Sequence, residues 1–192
     1  MSDGQNRPLR ADAARNRARL LDVAATVFAE RGVGVTTEEI ARAAGVGVGT
    51  LFRHFPTKEA LLAAVLARRM EQVVARGGEL AERAEPAEAF FGTYRLIVEQ
   101  SAGKEEFSRA LTAAGVDVHQ ALGATSAAVR ALLERLLAGA QRAGAVRTGL
   151  DLTDLVALLL GTASAMDQLG PDPAARERVL QVVFDGLRPP RD

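Results

Sequence analysis

The polar side chains most clearly placed for chemistry lie between residues 36 and 55, which read TTEEIARAAGVGVGTLFRHF. The small and apolar positions have the spacing of two short helices that cross at a tight turn. Ala41 is small where the helices approach, Gly45 suits a left-handed turn, and Leu51 packs between them. A second helix held in this way is free to enter a DNA major groove. The same spacing also occurs in helical hairpins that serve only as scaffold.

A basic segment precedes this motif and the first apolar periodicity. Between residues 7 and 19 it contains one acidic residue, Asp12, against five arginines: Arg7, Arg10, Arg15, Arg17 and Arg19. We interpret residues 1–12 as a basic flexible arm, since such an arm can reach phosphates or the minor groove. The alternative is a solvated tail without a binding role.

The composition leaves binding as the main available chemistry. The 192-residue chain has no cysteine and two histidines, which excludes disulfides and thiolate metal sites and argues against a zinc site. The glycine-rich run GVGVG lies inside a helical hairpin and not after a strand, and no serine stands in a nucleophile elbow. We therefore expect no metal, no cofactor and no enzymatic activity.

The charge and hydropathy patterns limit the location and the partners. A net charge of zero argues against a protein that coats nucleic acid indiscriminately. The amino terminus is polar up to Leu20, and no apolar run approaches the ~20 residues of a membrane-spanning helix. We expect a cytoplasmic protein that does not associate with membranes.

The apolar periodicity predicts an all-α fold of about nine helices, with a three-helix DNA-binding domain over residues 13–56 and a helical bundle over residues 57–192. Thr36 and Glu39 have the spacing of a capping box. We expect the helix after Phe55 to end at Gly77 and Gly78. Later helices are predicted near residues 86–101, 105–114, 117–143, 151–169 and 173–187.

The last two predicted helices are apolar over most of their circumference, which favours a self-complementary dimer interface. The residues predicted to form it are Leu155, Leu159, Val179, Val183, Phe184 and Leu187. The alternative is that both helices are simply central to the core of their own chain.

From Arg15 to Leu66 the order is an apolar helix, the segment RGVGVTTEEIARAAGVGVGTLFRHFPTKEALL, and a further helix. This order closely resembles the tetracycline-repressor (TetR) family of bacterial transcriptional regulators. The resemblance rests on the combination of VTTEEIARAAGV, GTLFRHF and PTKEALL, and it covers the first third of the chain. The remaining part resembles the family only in its length, its helicity and its apolar terminal helix pair.

The resemblance implies DNA contacts at matching positions. Thr37 stands where the family places a hydroxyl on phosphate, and Thr50 fills the position of its phosphate-binding threonine. His54 and Lys58 match residues that contact the DNA backbone, and a helix amino terminus at Lys58 would add a favourable dipole. Phe52 replaces the usual tyrosine, so the ring can still pack on a sugar or a thymine methyl but a phosphate hydrogen bond is lost.

The positions at which the family faces the groove offer sparse base readout in this chain. Val48 can make only apolar contact with thymine methyls, while Gly47 and Gly49 offer only close backbone approach. Arg53 is the best side chain for a guanine edge, and Glu38 could accept from a cytosine amino group. We expect specificity to depend partly on DNA shape.

The resemblance also implies a small-molecule effector bound in the helical bundle. Scattered aromatic and polar residues, which could equally be ordinary core, are the predicted lining: Phe90, Phe91, Tyr94, Phe107, His119, Met166 and Gln168. The low aromatic content favours an apolar or amphipathic metabolite over a large cationic drug.

The leading hypothesis is a homodimeric transcriptional regulator, most simply a repressor, that binds a pseudopalindromic double-stranded operator and is released by its effector. The alternative is a helical ligand-binding or protein-interaction dimer without sequence-specific DNA binding. The sequence does not separate a repressor from an activator.

Overall fold

The computed structural model describes residues 6–101, 104–117, 122–170 and 172–190, and every regular element in these ranges is an α-helix. The all-α prediction is confirmed. The nine helices of these ranges are α1 (Asn6–Arg31), α2 (Thr37–Ala43), α3 (Val48–His54), α4 (Lys58–Arg83), α5 (Pro86–Gln100), α6 (Lys104–Ala113), α7 (Gly123–Arg142), α8 (Leu152–Leu169) and α9 (Pro173–Leu187).

The chain forms two compact units. Unit 1 comprises Met1–Arg68 and Glu106–Ala121, and unit 2 comprises Arg69–Glu105 and Leu122–Asp192. This division differs from the predicted domains 13–56 and 57–192, because unit 1 also takes in the first part of α4 and most of α6.

The core of unit 1 explains why α6 belongs to it. Phe107 and Leu111 of α6 are buried in the same cluster as Phe28 of α1 and Leu51 of α3. The Phe28 and Phe107 rings meet edge to face with their centroids 5.4 Å apart, a favoured aromatic geometry. α6 therefore contributes to the hydrophobic core that it shares with α1 and α3.

The first helix begins earlier than predicted. Residues 6–12 belong to α1, whereas the sequence analysis assigned residues 1–12 to a flexible arm. Pro8 falls in the first turn of α1, where its missing N–H removes no helical hydrogen bond. The alanine-rich sequence that follows has a high helix propensity, so nothing ends the helix before the apolar periodicity begins.

The prediction that the helix after Phe55 ends at Gly77 and Gly78 was wrong, since α4 continues to Arg83. A Cβ atom on Gly77 would lie 2.7 Å from Leu132 Cδ2 and 3.0 Å from Thr93 Cγ2, while one on Gly78 would meet no atom within 4 Å. Gly77 therefore permits close helix packing and does not mark a helix end.

Another boundary also differs from the prediction. The helix predicted over residues 117–143 begins at Gly123 in the structure. Val116 and Asp117 lie outside any helix, and residues 118–121 are outside the described ranges.

Unit 2 is built around α5, α7, α8 and α9, which bury one continuous apolar cluster. Tyr94 of α5 lies inside it, and its hydroxyl is 2.8 Å from the hydroxyl of Thr162 in α8. Burial raises the pKa of Tyr94, against the effect of its hydrogen bond with Thr162. In the described ranges, no helix is both long enough and apolar enough to cross a membrane.

Candidate nucleic-acid interface

The entry to α2 is fixed by the predicted capping box. The Thr36 hydroxyl accepts from the Glu39 amide at 3.3 Å, and the Glu39 carboxylate accepts from the Thr36 amide at 2.9 Å. The Arg31 side chain, on the last residue of α1, also donates to Glu39. These bonds, first that of the Thr36 amide and then that of Arg31, lower the pKa of Glu39 from 4.5 to about 2. The prediction of a capping box at Thr36 and Glu39 is confirmed.

The turn between α2 and α3 depends on one glycine. Gly45 has φ +66°, in the left-handed region that suits glycine. Its amide donates to the Arg42 carbonyl at 3.0 Å, and the Val46 amide then donates to the Ala41 carbonyl at 3.0 Å. These bonds end α2 and direct the chain into α3.

The short helix α3 is anchored on one side and open on the other. Leu51 and the capping residue Phe55 are fully buried in the unit 1 core, as their spacing predicts. Gly49, Phe52 and Arg53 are exposed to solvent, and Phe52 retains 39% of its accessible surface. An exposed phenylalanine on a helix this short leaves an apolar ring available for contact with a partner.

Most of the residues predicted to contact DNA are accessible in unit 1. Those exposed are Glu38, Gly47, Gly49, Phe52 and Arg53, and those half-buried are Val48, Thr50, His54 and Lys58. Thr37 differs, because it is only 8% exposed and its hydroxyl is 3.3 Å from a Glu38 carboxylate oxygen. A phosphate contact from Thr37 would have to displace this hydrogen bond.

The two glycines that the sequence predicts to face the groove, Gly47 and Gly49, are not required by packing. Gly47 is the N-cap residue of α3, with φ −70° and ψ 146°, and its cap has no side-chain hydrogen bond. A Cβ on Gly47 or Gly49 would meet nothing within 4 Å. Val48, between them, packs partly against the unit 1 core, which reduces the apolar surface that it can offer to a thymine methyl.

A residue of the basic segment reaches the end of α3. The guanidinium carbon of Arg17 lies 5.0 Å from the centre of the Phe55 ring, within the range of a cation–π contact. Arg17 is otherwise exposed, so its N–H groups remain accessible. The sequence predicts Arg17 only as one of several arginines able to reach phosphates. This stacking could not be predicted, because the order of residues alone does not show which face of α1 lies next to Phe55.

The predicted effector-lining residues do not form one group. Phe91 and Tyr94 both pack against Phe184, with ring centroids 4.9 Å and 5.5 Å away. Met166 is buried in the same cluster and also borders a cavity, whereas Gln168 is exposed.

Two further members of that set lie elsewhere. Phe107 is in the core of unit 1, whereas Tyr94 and Met166 are in the core of unit 2. His119 lies outside the described residues.

The predicted dimer residues lie mainly inside their own chain. Four of them are buried in the unit 2 core: Leu155, Leu159, Phe184 and Leu187. The other two, Val179 and Val183, are half-buried against that core. The same two helices instead expose Leu158, Leu160, Leu169 and Val182. An almost wholly apolar helix does not show from its sequence which face meets its own core, and the prediction selected the inward face.

Two family models match this chain, each in a different region. Residues 20–65 match "Bacterial regulatory proteins, tetR family", and residues 85–189 match the C-terminal domain of SbtR-like transcriptional regulators. The chain belongs to the TetR family. The resemblance inferred from residues 15–66 therefore extends through unit 2, where no motif had indicated it.

Solved TetR-family structures align over nearly all of this chain. A TetR transcription regulatory protein from Mycobacterium vanbaalenii is 44% identical with a TM-score of 0.76, over 95% of this chain and 100% of that one. The TetR regulator SCO0520 from Streptomyces coelicolor is 35% identical with a TM-score of 0.75, over 91% of this chain and 99% of that one.

A curated relative matches over a much shorter region. The HTH-type transcriptional repressor KstR2 of Rhodococcus jostii is 51% identical over 51 residues, which are 26% of this chain and 25% of that protein. The chain thus spans about a quarter of the length of that relative.

Proposed function

We propose that this protein is a ligand-responsive transcriptional repressor that binds a pseudopalindromic operator as a cytoplasmic homodimer and acts by binding, without catalysis. The observation that carries the proposal is the mounting of α3, whose Leu51 is buried while Phe52 and Arg53 face solvent. A helix anchored along one side can enter a major groove with its other side. The name of the KstR2 relative supports repression over activation.

The positive side chains around α3 support binding to the DNA backbone. Arg53 and His54 lie in its last turn, and Lys58 opens α4. In the part of the chain that the structure describes, neither Arg53 nor Lys58 pairs with a carboxylate, so their charges are available for phosphate. We propose that Arg17, stacked on Phe55, adds a further phosphate contact.

The exposed apolar residues of α8 and α9 support association with a second copy. Leu160 and Val182 are 57% and 72% exposed, and large apolar side chains gathered on one helix pair favour a partner surface. A two-fold dimer would present two α3 helices to half-sites about 34–36 Å apart, or a multiple of that spacing. This arrangement requires a two-fold symmetric operator.

The experiment that tests the proposal is selection of random DNA duplexes by the purified protein, followed by footprinting. We expect a two-fold symmetric motif, with binding that weakens steeply as salt increases. The matched variant is Arg53→Ala. It should relax the base preference, while folding and dimerisation remain unchanged. If the folded dimer enriches no motif at low or moderate salt, the proposal is wrong and the interaction-dimer alternative replaces it.

A further inference from the structure

A cavity in unit 2 lies among α5, α8 and α9, and its lining does not include Tyr94. Its volume is about 250 Å³, slightly below the roughly 300–1,000 Å³ of typical small-molecule sites, so that it suits a small ligand. Its apolar part is formed by Val98, Met166 and Leu180, and all three are almost completely buried. This part offers a preformed surface to a short apolar group.

One pair of charges at the cavity is already neutralised. The Arg95 guanidinium donates to both carboxylate oxygens of Glu177, at 2.5 Å and 2.9 Å. The bonds from Arg95 lower the pKa of Glu177, so the pair remains ionised, and Glu99 adds a second negative charge near Arg95. Arg95 therefore has little remaining attraction for an anion.

Arg176, which lines the same cavity, differs from Arg95 in its hydrogen bonding. One of its terminal nitrogens donates to the Met166 carbonyl at 3.3 Å, and its buried Nε has no hydrogen-bond partner. Among the described residues no carboxylate pairs with Arg176. A partly buried guanidinium without a counter-charge is destabilising, and a planar carboxylate is the anion that matches its donor geometry.

The start of α9 does not itself supply the anion contact. The Asp172 carboxylate already accepts from the amides of Ala174 and Ala175, at 2.9 Å and 3.3 Å. The positive charge that remains beside the apolar surface is therefore the Arg176 side chain.

We propose that this cavity binds a small monocarboxylate with an apolar body, whose carboxylate pairs with Arg176 and whose body packs on Val98, Met166 and Leu180. As the effector site, it rests on the proposed function. A route for regulation follows from chain connectivity: Val98 and Glu99 lie in the last turn of α5, and the chain then enters α6, whose Phe107 is part of the unit 1 core.

Calorimetric titration of the full-length protein tests the ligand class. The probes are octanoate, butyrate, 1-octanol and octylamine at constant ionic strength. We expect saturable binding of octanoate, with octanol and octylamine at least tenfold weaker because they cannot pair with a guanidinium. Each buried CH₂ changes affinity about fourfold, so butyrate should also be more than tenfold weaker. Equal binding of octylamine, or no saturable binding of octanoate, would overturn the proposal.

Two matched variants test the assignment to Arg176. Arg176→Gln removes the charge from the cavity, and Arg178→Gln makes the same change at an exposed position on α9. Loss of a charge-assisted hydrogen bond should weaken octanoate binding on the order of ten- to a hundredfold in Arg176→Gln, with Arg178→Gln unchanged. Wild-type octanoate affinity in a folded Arg176→Gln protein contradicts the assignment.

Operator binding is measured separately, so that the two proposals can fail independently. Octanoate binding that depends on Arg176, in a protein that selects no DNA motif, would leave the site standing and refute the repressor function. Specific DNA binding without octanoate binding would do the reverse. If both occur but octanoate leaves operator affinity unchanged, the cavity is not the effector site.

Discussion

The turn between α2 and α3 in unit 1 and the core of unit 2 differ in the sequence separation of the contacts that define them. The turn of unit 1 is set by contacts within a few residues, such as the three-residue span from Thr36 to Glu39. In unit 2 a central hydrogen bond joins Tyr94 to Thr162, 68 residues apart. Local contacts leave a motif in the sequence, whereas distant ones leave only an apolar periodicity. A helix-turn-helix can therefore be recognised in a single sequence, whereas the residues that meet in the core of unit 2 cannot.

The largest effect on stability is expected from Phe107→Ala, which removes a buried aromatic ring from the core of unit 1. Loss of a buried phenylalanine costs about 3–5 kcal/mol, and its edge-to-face partner Phe28 lies in α1. We expect faster amide hydrogen exchange in α1 and α2, with little change in α8. The matched variant Phe90→Ala, in the core of unit 2, should give the opposite pattern. Equal loosening of both units by Phe107→Ala would contradict the division.

The next largest effect is expected on DNA binding and involves a residue of unit 1 only. Lys58→Ala should weaken binding to all DNA sequences by a similar factor and reduce the slope of log affinity against log salt by about one, since one phosphate contact is lost. Arg178→Ala, an exposed change of equal charge in unit 2, should leave that slope unchanged. The measurement is fluorescence anisotropy over a salt series, and an unaltered slope in Lys58→Ala removes this lysine from the phosphate contacts.

A pair of adjacent glycines in α4 gives a smaller effect and tests packing in unit 2. Gly78→Ala should raise the free energy of unfolding by about 0.5–1 kcal/mol, because alanine favours the helix and meets no atom. In Gly77→Ala the same gain is opposed by crowding against Thr93 and Leu132. Chemical denaturation should therefore place Gly77→Ala below Gly78→Ala. Equal stabilisation would show that the close approach at Gly77 is readily relaxed.

The all-helical class, the capping box at Thr36 and the burial of Leu51 and Phe55 could be predicted because each depends on local spacing. The end of α4 could not be predicted, because Gly77 forms neither a cap nor a turn and instead lies against side chains from other helices. Arg176 was missed for a related reason: its charge becomes unusual only when α5 and α8 fold around it.

The smallest effect is expected at the exposed capping box of unit 1, and it depends on pH. Because the pKa of Glu39 is lowered from 4.5 to about 2 on folding, its ionised form stabilises unit 1 above pH 4.5. That contribution is lost as the pH falls toward 2 and the carboxylate becomes protonated. Glu39→Gln should therefore be less stable than wild type near neutral pH and converge with it in acid, as followed by thermal unfolding across the pH range.

The control for that measurement is Glu30→Gln, which removes the same charge from an exposed position on α1 without removing a capping hydrogen bond. At neutral pH the thermal stability of Glu30→Gln should differ less from that of wild type than the stability of Glu39→Gln does, since general charge effects at the surface are weak. If the two variants behave alike, the acid sensitivity of unit 1 arises from its overall charge. If only Glu39→Gln converges with wild type in acid, the hydrogen bonds that Glu39 accepts from Thr36 and Arg31 give unit 1 its acid sensitivity.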